Sequence, residues 1–429
     1  MKGIRGPIAR RVLAASIVAG MTITALAACS APAASTKKTT ITFSYLWSGT
    51  EAKDIQKIIK TYNASQDQVV VKGVSSPDFQ KQLTSMSSSN GSFDVSDNFG
   101  NGVGAWASKG IIAPLDSYLK ADGVDTSDFV PAAIDQMKYK GKIYSVPIAV
   151  HSFQLLYNKT LLQQAGVSVP KTMSQLATAI TNLTKQSANG EITQLGMGDP
   201  SVPTTLTTLA YDFGGKWDGK SGPTPTASGN VDAAKWYQTN ITNKFGAANI
   251  AKFDSGLGTY MSAQDPFYTG KEAMVIDGEW QAVNIPLVAP NLDWGVTSIP
   301  YVTKADKGTT QLTASTLFIP SNSKHKAAAA KFIAYLVGKK GMTQFSLALG
   351  NLPSLTSLLD SSAYSKIPQF SAWLDALKSK NVHALSSAPY AAQYSTDLGT
   401  AFDSITRNAS SPKAALQTVK SKSSTYATN

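Results

Sequence analysis

Apolar and polar residues alternate from Ile41 to Leu46, the period of a half-buried strand. Trp47, Ser48 and Gly49 interrupt that alternation. From Glu51 to Asn63 the apolar positions Ala52, Ile55, Ile58, Ile59 and Tyr62 recur three or four apart, which predicts a helix with one apolar face. Val69–Val71 reads as the next strand, Phe79–Met86 as a helix and Phe93–Val95 as a third strand. Strand and helix in strict alternation argue for an α/β lobe built on a largely parallel sheet.

Past Pro147 the pattern changes. Ile148–Tyr157 is an apolar run of β character, followed by helical spacing at Thr160–Ala165 and at Met173–Lys185. A Pro-, Gly- and Thr-rich loop, Gly219–Gly229, interrupts the chain. Lys271–Ile276 is a strand that ends in Asp277, Gly278, Glu279 and Trp280, and Trp294–Pro300 is another. Lys324–Val337 is an amphipathic helix with Ala328, Phe332, Tyr335 and Leu336 on one side. No internal repeat is present.

Composition adds a compartment. Only 15% of the 429 residues are charged, which suits an extracellular protein with a polar, weakly charged surface. Lys2, Arg5, Arg10 and Arg11 precede an uncharged stretch from Val12 to Ala28, the layout of a secretory signal peptide. Its last residues, Leu26 to Cys29, resemble the bacterial lipobox, and Cys29 is the only cysteine in the chain. Residues 1–28 are therefore expected to be a lipoprotein signal peptide, with Cys29 carrying lipid (palmitate-type acyl chains) and residues 29–40 a flexible tether. The arginine pair also leaves the twin-arginine export route open. The expected location is extracytoplasmic, anchored to the outer face of a bacterial cell membrane. Four of the formal +12 charges lie in the first 28 residues, and no dense basic run with interleaved aromatics follows, so no nucleic-acid partner is expected.

Candidate chemistry is sparse. Gly214–Ser221 matches the phosphate-loop spacing, but a helix-like stretch precedes it and Gly-Pro-Thr-Pro follows, so it reads as a hairpin loop. Gly100, Gly102 and Ala105 form a partial dinucleotide fingerprint that is read more simply as a turn into a helix. His151, His325 and His383 are far apart, and no paired cysteines or nucleophile elbow exist, so neither metal nor cofactor is expected. Asp277 and Glu279 form the best candidate acid pair: residues two apart on a strand share a face, and a retaining glycosidase needs carboxyl groups about 5 Å apart. The competing reading makes them acceptors for sugar hydroxyls.

Leu155–Lys159, Leu161–Gly166, Lys140–Pro147, Gly270–Trp280, Ala330–Leu336 and Gly350–Pro353, in that combination, resemble the extracellular solute-binding proteins of sugar importers, the group that includes maltose-binding protein. The resemblance implies a periplasmic-binding-protein type II-like α/β fold: two lobes, a ligand cleft and three hinge crossovers near Pro147–Ser152, Thr297–Tyr301 and Ala348–Asn351. The lobes would comprise 41–148 with 301–348, and 149–300 with 349–429. It further implies a monomer that captures a small carbohydrate, an oligosaccharide, by hinge closure and delivers it to the membrane subunits of an ABC importer whose ATPase is a separate chain. No catalysis is implied.

Sugar recognition needs aromatic faces for the C–H surface and polar groups for the hydroxyl edge. The resemblance puts Trp280 in the place of a cleft aromatic, Asn98 and Asn101 in a contact loop, and Tyr394 at a C-terminal cleft position. Trp47 ends the first strand, where clefts of this kind gather ligand contacts. Asp277 and Glu279 join this set. His151 departs from the family pattern, since maltose-binding protein has an acid there, and a maltodextrin preference does not carry over. Two alternatives stand beside this reading: a glycoside hydrolase using Asp277 and Glu279, and a receptor for a non-sugar solute such as a polyamine or peptide.

Overall fold

The computed structural model describes residues 38–199 and 205–426; the expected signal peptide, Cys29 and nearly all of the expected tether lie outside the described residues. Three strands open the fold: β1 (Thr39–Tyr45), β2 (Val69–Ser75) and β3 (Val95–Phe99). Helices α1 (Gly49–Ser65) and α2 (Phe79–Ser87) connect them. β1 pairs in parallel with both β2 and β3, as the alternation of strand and helix requires. α1 buries Ile55, Ile58, Ile59 and Tyr62, the stripe its spacing marks out.

The apolar run after residue 145 is one long strand, β4 (Val146–Asn158), in which only His151 and Tyr157 escape full burial. Four further strands complete the sheet: β5 (Met274–Gly278), β6 (Trp294–Thr297), β7 (Thr310–Phe318) and β8 (Val382–Ala384). The order is β5-β4-β7-β3-β1-β2, with β6 also on β4 and β8 on β7. The sheet is therefore mixed. β7 lies antiparallel to both β3 and β4, so β1–β3 keep the parallel arrangement expected of the first lobe while β7 departs from it, pairing in parallel only with the short β8.

β4 is the strand that ties the molecule together. Its first half, Val146 to Ser152, pairs with β7, and its second half, Phe153 to Asn158, pairs with β5 and β6. Near this crossing the backbone N–H of Val150 also donates to the Leu352 carbonyl at 3.1 Å. Two hydrophobic cores result. One contains Phe43, Val95, Ile148, Leu317, Phe332 and Trp373; the other contains Leu155, Leu176, Leu209, Trp217, Ile276 and Phe402. Neighbouring residues of one strand divide between them: Val275 and Leu156 face the first core, Met274, Ile276 and Leu155 the second. This is the alternation of a strand buried on both faces. Residues 352–377 contribute Leu352, Phe370 and Trp373 to the first core.

The glycine motifs prove to be packing devices. A Cβ on Gly104 would lie 1.8 Å from the Ser387 carbonyl oxygen, and one on Gly100 would lie 2.1 Å from Gln136 Oε1. Those glycines let the turn after β3 close against neighbouring chain. Asp218–Gly219 and Gly222–Pro223 pair as a short antiparallel hairpin, which is what Gly214–Ser221 forms in place of a phosphate loop. Among the described residues no group of three or more His, Cys, Asp or Glu could hold a metal ion, and no helix is long and apolar enough to cross a membrane.

Candidate functional site

His151 sits where β4 passes from β7 to the β5 side of the sheet. Its Nδ1 lies 2.6 Å from Glu279 Oε1, and its Nε2 lies 3.1 Å from Ser315 Oγ. Glu279 follows β5, while Ser315 belongs to β7, so one imidazole links elements from opposite sides of the crossing. A carboxylate only accepts, so Nδ1 carries the proton toward Glu279. Glu279 is fully buried, and its second oxygen, Oε2, has no hydrogen-bond partner among the described residues. The His151 side chain keeps 12% of its surface exposed.

Trp280 stands beside this pair. Its ring centroid is 5.9 Å from that of His151 and 5.8 Å from that of Phe153, edge to face in both cases. The indole Nε1 donates to the Tyr260 hydroxyl at 2.7 Å, and that hydroxyl donates to the Asp277 carboxylate at 2.9 Å. Asp277 also accepts from Gln281 Nε2 at 2.6 Å and from the Gly278 N–H at 2.8 Å. Burial pushes the Asp277 carboxyl up to about 7 despite these donors. Gly278 serves this arrangement through the space it leaves. Its φ is not in the left-handed region, but a Cβ there would come within 2.1 Å of the indole Cζ3. The ring packs against the glycine, half-buried, with its Nε1 held by Tyr260.

The other expected residues occupy varied surroundings. Trp47, half-buried after β1, packs its ring edge-on to Phe345 at 5.2 Å. Asn101 is exposed in the single turn Gly100–Gly102. Asn98 is buried; its Nδ2 donates to Gln82 Oε1 at 2.6 Å and its Oδ1 accepts from the Phe99 N–H. Tyr394 is buried in the second core, and its hydroxyl donates to the Trp217 carbonyl at 2.8 Å. His151, Glu279 and Trp280 are thus brought together directly, with Asp277 one contact behind. Asn98 and Tyr394 spend their polar groups inside the protein.

Four residues in or beside the cluster carry no local signal in the sequence. Ser315 lies in a strand rich in Thr and Ser. Tyr260 belongs to a loop with no apolar period. Glu51 stands in the first turn of α1, where loss of water raises its carboxyl and the charge of nearby His151 lowers it. Asp97, in the middle of β3, accepts from the Leu46 N–H at 2.8 Å and is pushed by burial to about 7.

A mixed sheet threaded by one crossover strand, with a polar and aromatic cluster at the crossing, is the architecture of an α/β binding protein of the periplasmic type. The family model for bacterial extracellular solute-binding proteins matches residues 47–343, and the chain belongs to that family. Among solved structures, CpMnBP1 with mannobiose bound shares 28% identity, covering 90% of this chain and all of that one with a TM-score of 0.75. The sugar-binding protein MalE from Xanthomonas citri, at 20% identity and a TM-score of 0.76, shares the fold; it covers 90% of this chain and 96% of its own. The curated relatives include a Brucella abortus protein named only as a binding protein, 28% identical over 259 residues, or 57% of this chain and 58% of that one. The maltotriose-binding protein of Pyrococcus abyssi is 25% identical over 267 residues, 60% of this chain and 54% of that one. The chain thus spans rather more than half the length of these curated relatives.

Proposed function

We propose that this chain is the extracellular receptor of an ABC importer, taking up a carbohydrate, an oligosaccharide, at the cluster around His151 and Trp280 and passing it on unaltered. The observation that carries this reading is the place of His151. It lies in the middle of the crossover strand, partly open to solvent, and is bonded at 2.6 and 3.1 Å to elements on either side of the crossing. A ligand seated there touches both sides, and contacts that only the closed arrangement completes shift the population toward closure. The lobes in this reading are 41–148 with 301–348 and 149–300 with 349–429, the segment 352–377 packing across onto the core that also holds Phe43 and Phe332. Half-buried Trp280 offers a ring to the sugar's C–H face. Mannobiose in the 28%-identical CpMnBP1 supports the choice of an oligosaccharide.

Binding without turnover is part of the proposal. Asp277 and Glu279 are 1% and 0% exposed, and Asp277 is engaged by three different donor residues, so neither carboxyl stands ready to protonate a glycosidic oxygen. The relatives reported above are named as binding proteins. Lipid anchoring through Cys29, a monomeric state and docking on membrane subunits complete the reading, the ATPase being a separate chain.

A thermal-shift screen of the mature chain against a glycan panel tests it, because a ligand that binds only the folded state raises apparent stability. Stabilisation by one oligosaccharide series, with the sugar recovered intact, is the expected result. Putrescine and spermidine belong in the same screen. Asp199, Asp254, Asp265 and Glu272 line a cavity of about 230 Å³ behind Tyr260, and among the described residues no Lys or Arg lines it. Stabilisation by the amines and by no sugar would transfer the reading to a cationic solute.

A further inference from the structure

Two aromatic rings lie in the open close to this cluster. Phe79 is 52% exposed and Phe99 is 50% exposed, and their rings stack with centroids 6.4 Å apart and planes inclined by 29°. Leu83, one turn beyond Phe79 on α2, is exposed as well and extends the apolar strip. Large exposed aromatics in contact with one another mark a surface that receives something.

Their position is tied to His151 by the sheet. Phe99 ends β3 and pairs in register with Ser315 of β7. Directly opposed residues of an antiparallel pair project from the same face, with Cβ atoms about 4.5–5.5 Å apart. The Ser315 hydroxyl in turn meets His151 Nε2. Trp280, His151, Ser315 and Phe99 therefore follow one another, with an aromatic surface at each end and a polar pair between. The strip also lies at the carboxyl end of β3, beside the ends of β1 and β2, the edge at which α/β sheets bind ligands.

The stack is built in, not incidental. Gln82, on α2 and one turn from Phe79, donates to Ser96 Oγ and to the Asp97 carbonyl, both at 2.8 Å, and accepts from Asn98 Nδ2 at 2.6 Å. Gln82 and Asn98 are both buried. The Asp78 carboxylate caps the helix, accepting from the N–H groups of Gln80 and Lys81. α2 is thereby pinned to β3, which holds Phe79 beside Phe99 while both rings stay open.

We infer that Phe79 and Phe99 form an outer sugar subsite, on which a second or third pyranose unit of the ligand stacks. This rests on the receptor reading and sharpens it: the ligand class is an oligosaccharide bound across two subsites, not a monosaccharide. Exposed Asn101, two residues beyond Phe99, supplies an amide for the hydroxyl edge of that outer unit.

The test is calorimetric titration of the full mature chain with mannose, mannobiose and mannotriose, and with glucose, maltose and maltotriose. Phe79→Ala, Phe99→Ala and Phe79→Trp are titrated alongside wild type. The expected result is at least a tenfold loss of di- or trisaccharide affinity in both alanine variants, with Phe79→Trp as tight as wild type. Melting temperatures close to wild type show that the variants are folded. Wild-type binding of a tri- or disaccharide with unchanged affinity in both alanine variants overturns the subsite alone, and lost importer-dependent uptake in such variants would reassign the strip to docking. A wild-type chain that binds none of the six sugars overturns the receptor reading, and the subsite with it.

Discussion

His151 and Glu279 meet at 2.6 Å although 128 residues of chain separate them. Among the described residues the imidazole is the only partner of this carboxylate, which has no exposed surface and whose second oxygen is unmatched. Removing one member of a buried pair leaves the other uncompensated, at a cost of about 3–5 kcal/mol, whereas a neutral replacement costs less. His151→Ala is therefore expected to destabilise by about 3–5 kcal/mol and Glu279→Gln by roughly 1–3 kcal/mol. The double variant should recover part of the histidine loss, because contacting residues are not additive. Urea unfolding of the four proteins measures this. Strict additivity would show that the two side chains do not act as a pair.

Stability should fall as pH rises from about 5 to 8. Burial holds Asp97 and Asp277 up to about 7 and Glu272 up to about 8. Between the ordinary carboxylate range and those values the native protein keeps protons that the unfolded chain has released. Stabilisation by the held protons is complete below the unfolded values and is lost as pH climbs through the native ones. The urea midpoint is expected to be higher at pH 5 than at pH 8. Asp97→Asn keeps an acceptor for the Leu46 N–H and should flatten the slope. A midpoint that rises toward pH 8, or a slope that Asp97→Asn leaves untouched, contradicts the assignment.

Cys29→Ala is expected to move the protein from the membrane fraction to the medium, since stable anchoring takes more than one acyl chain and the sequence offers no second cysteine. Mass spectrometry of the wild-type N-terminus checks it directly. A free thiol at Cys29 would end the lipoprotein reading.

What the sequence made legible was local. The periods at 41–46 and 51–63 located the first strand and helix, and the long apolar run announced the crossover strand. β7 escaped notice because six of its nine residues are Thr, Ser, Gln or Ala, and such a strand has no apolar signature. Eight of the nine are nonetheless buried, between β3 and β4 on either side. The turn from Asp277 to Trp280 was visible as a place for site residues. Tyr260 was not, and His151, though singled out, could not be paired with Glu279, because they reach the turn through a loop and a strand register that only tertiary packing sets. Asn98 illustrates the limit: its residue type suits a ligand contact, yet its amide lies against Gln82.

Gly278 offers a way to test Trp280 without removing its ring. A methyl group at position 278 would lie 2.1 Å from the indole Cζ3, closer than side-chain atoms come, so the ring must leave its seat. Trp280→Ala removes an aromatic surface whose burial, at about 25 cal/mol per Å², is worth one to a few kcal/mol, or roughly tenfold to a few hundredfold in affinity. Gly278→Ala should fall in the same range, with a red shift in tryptophan emission as the ring becomes wetter. Tyr260→Phe deletes the acceptor of the indole N–H without adding bulk. It should weaken binding by only a few-fold, a neutral hydrogen bond being worth about 1 kcal/mol. The rival account makes Trp280 a packing residue whose loss costs about 3–5 kcal/mol of folding stability. Titration and melting of the three variants separate the two. If Trp280→Ala and Gly278→Ala melt far below wild type while their folded fractions bind sugar as tightly as before, the ring supports the core and does not hold the ligand.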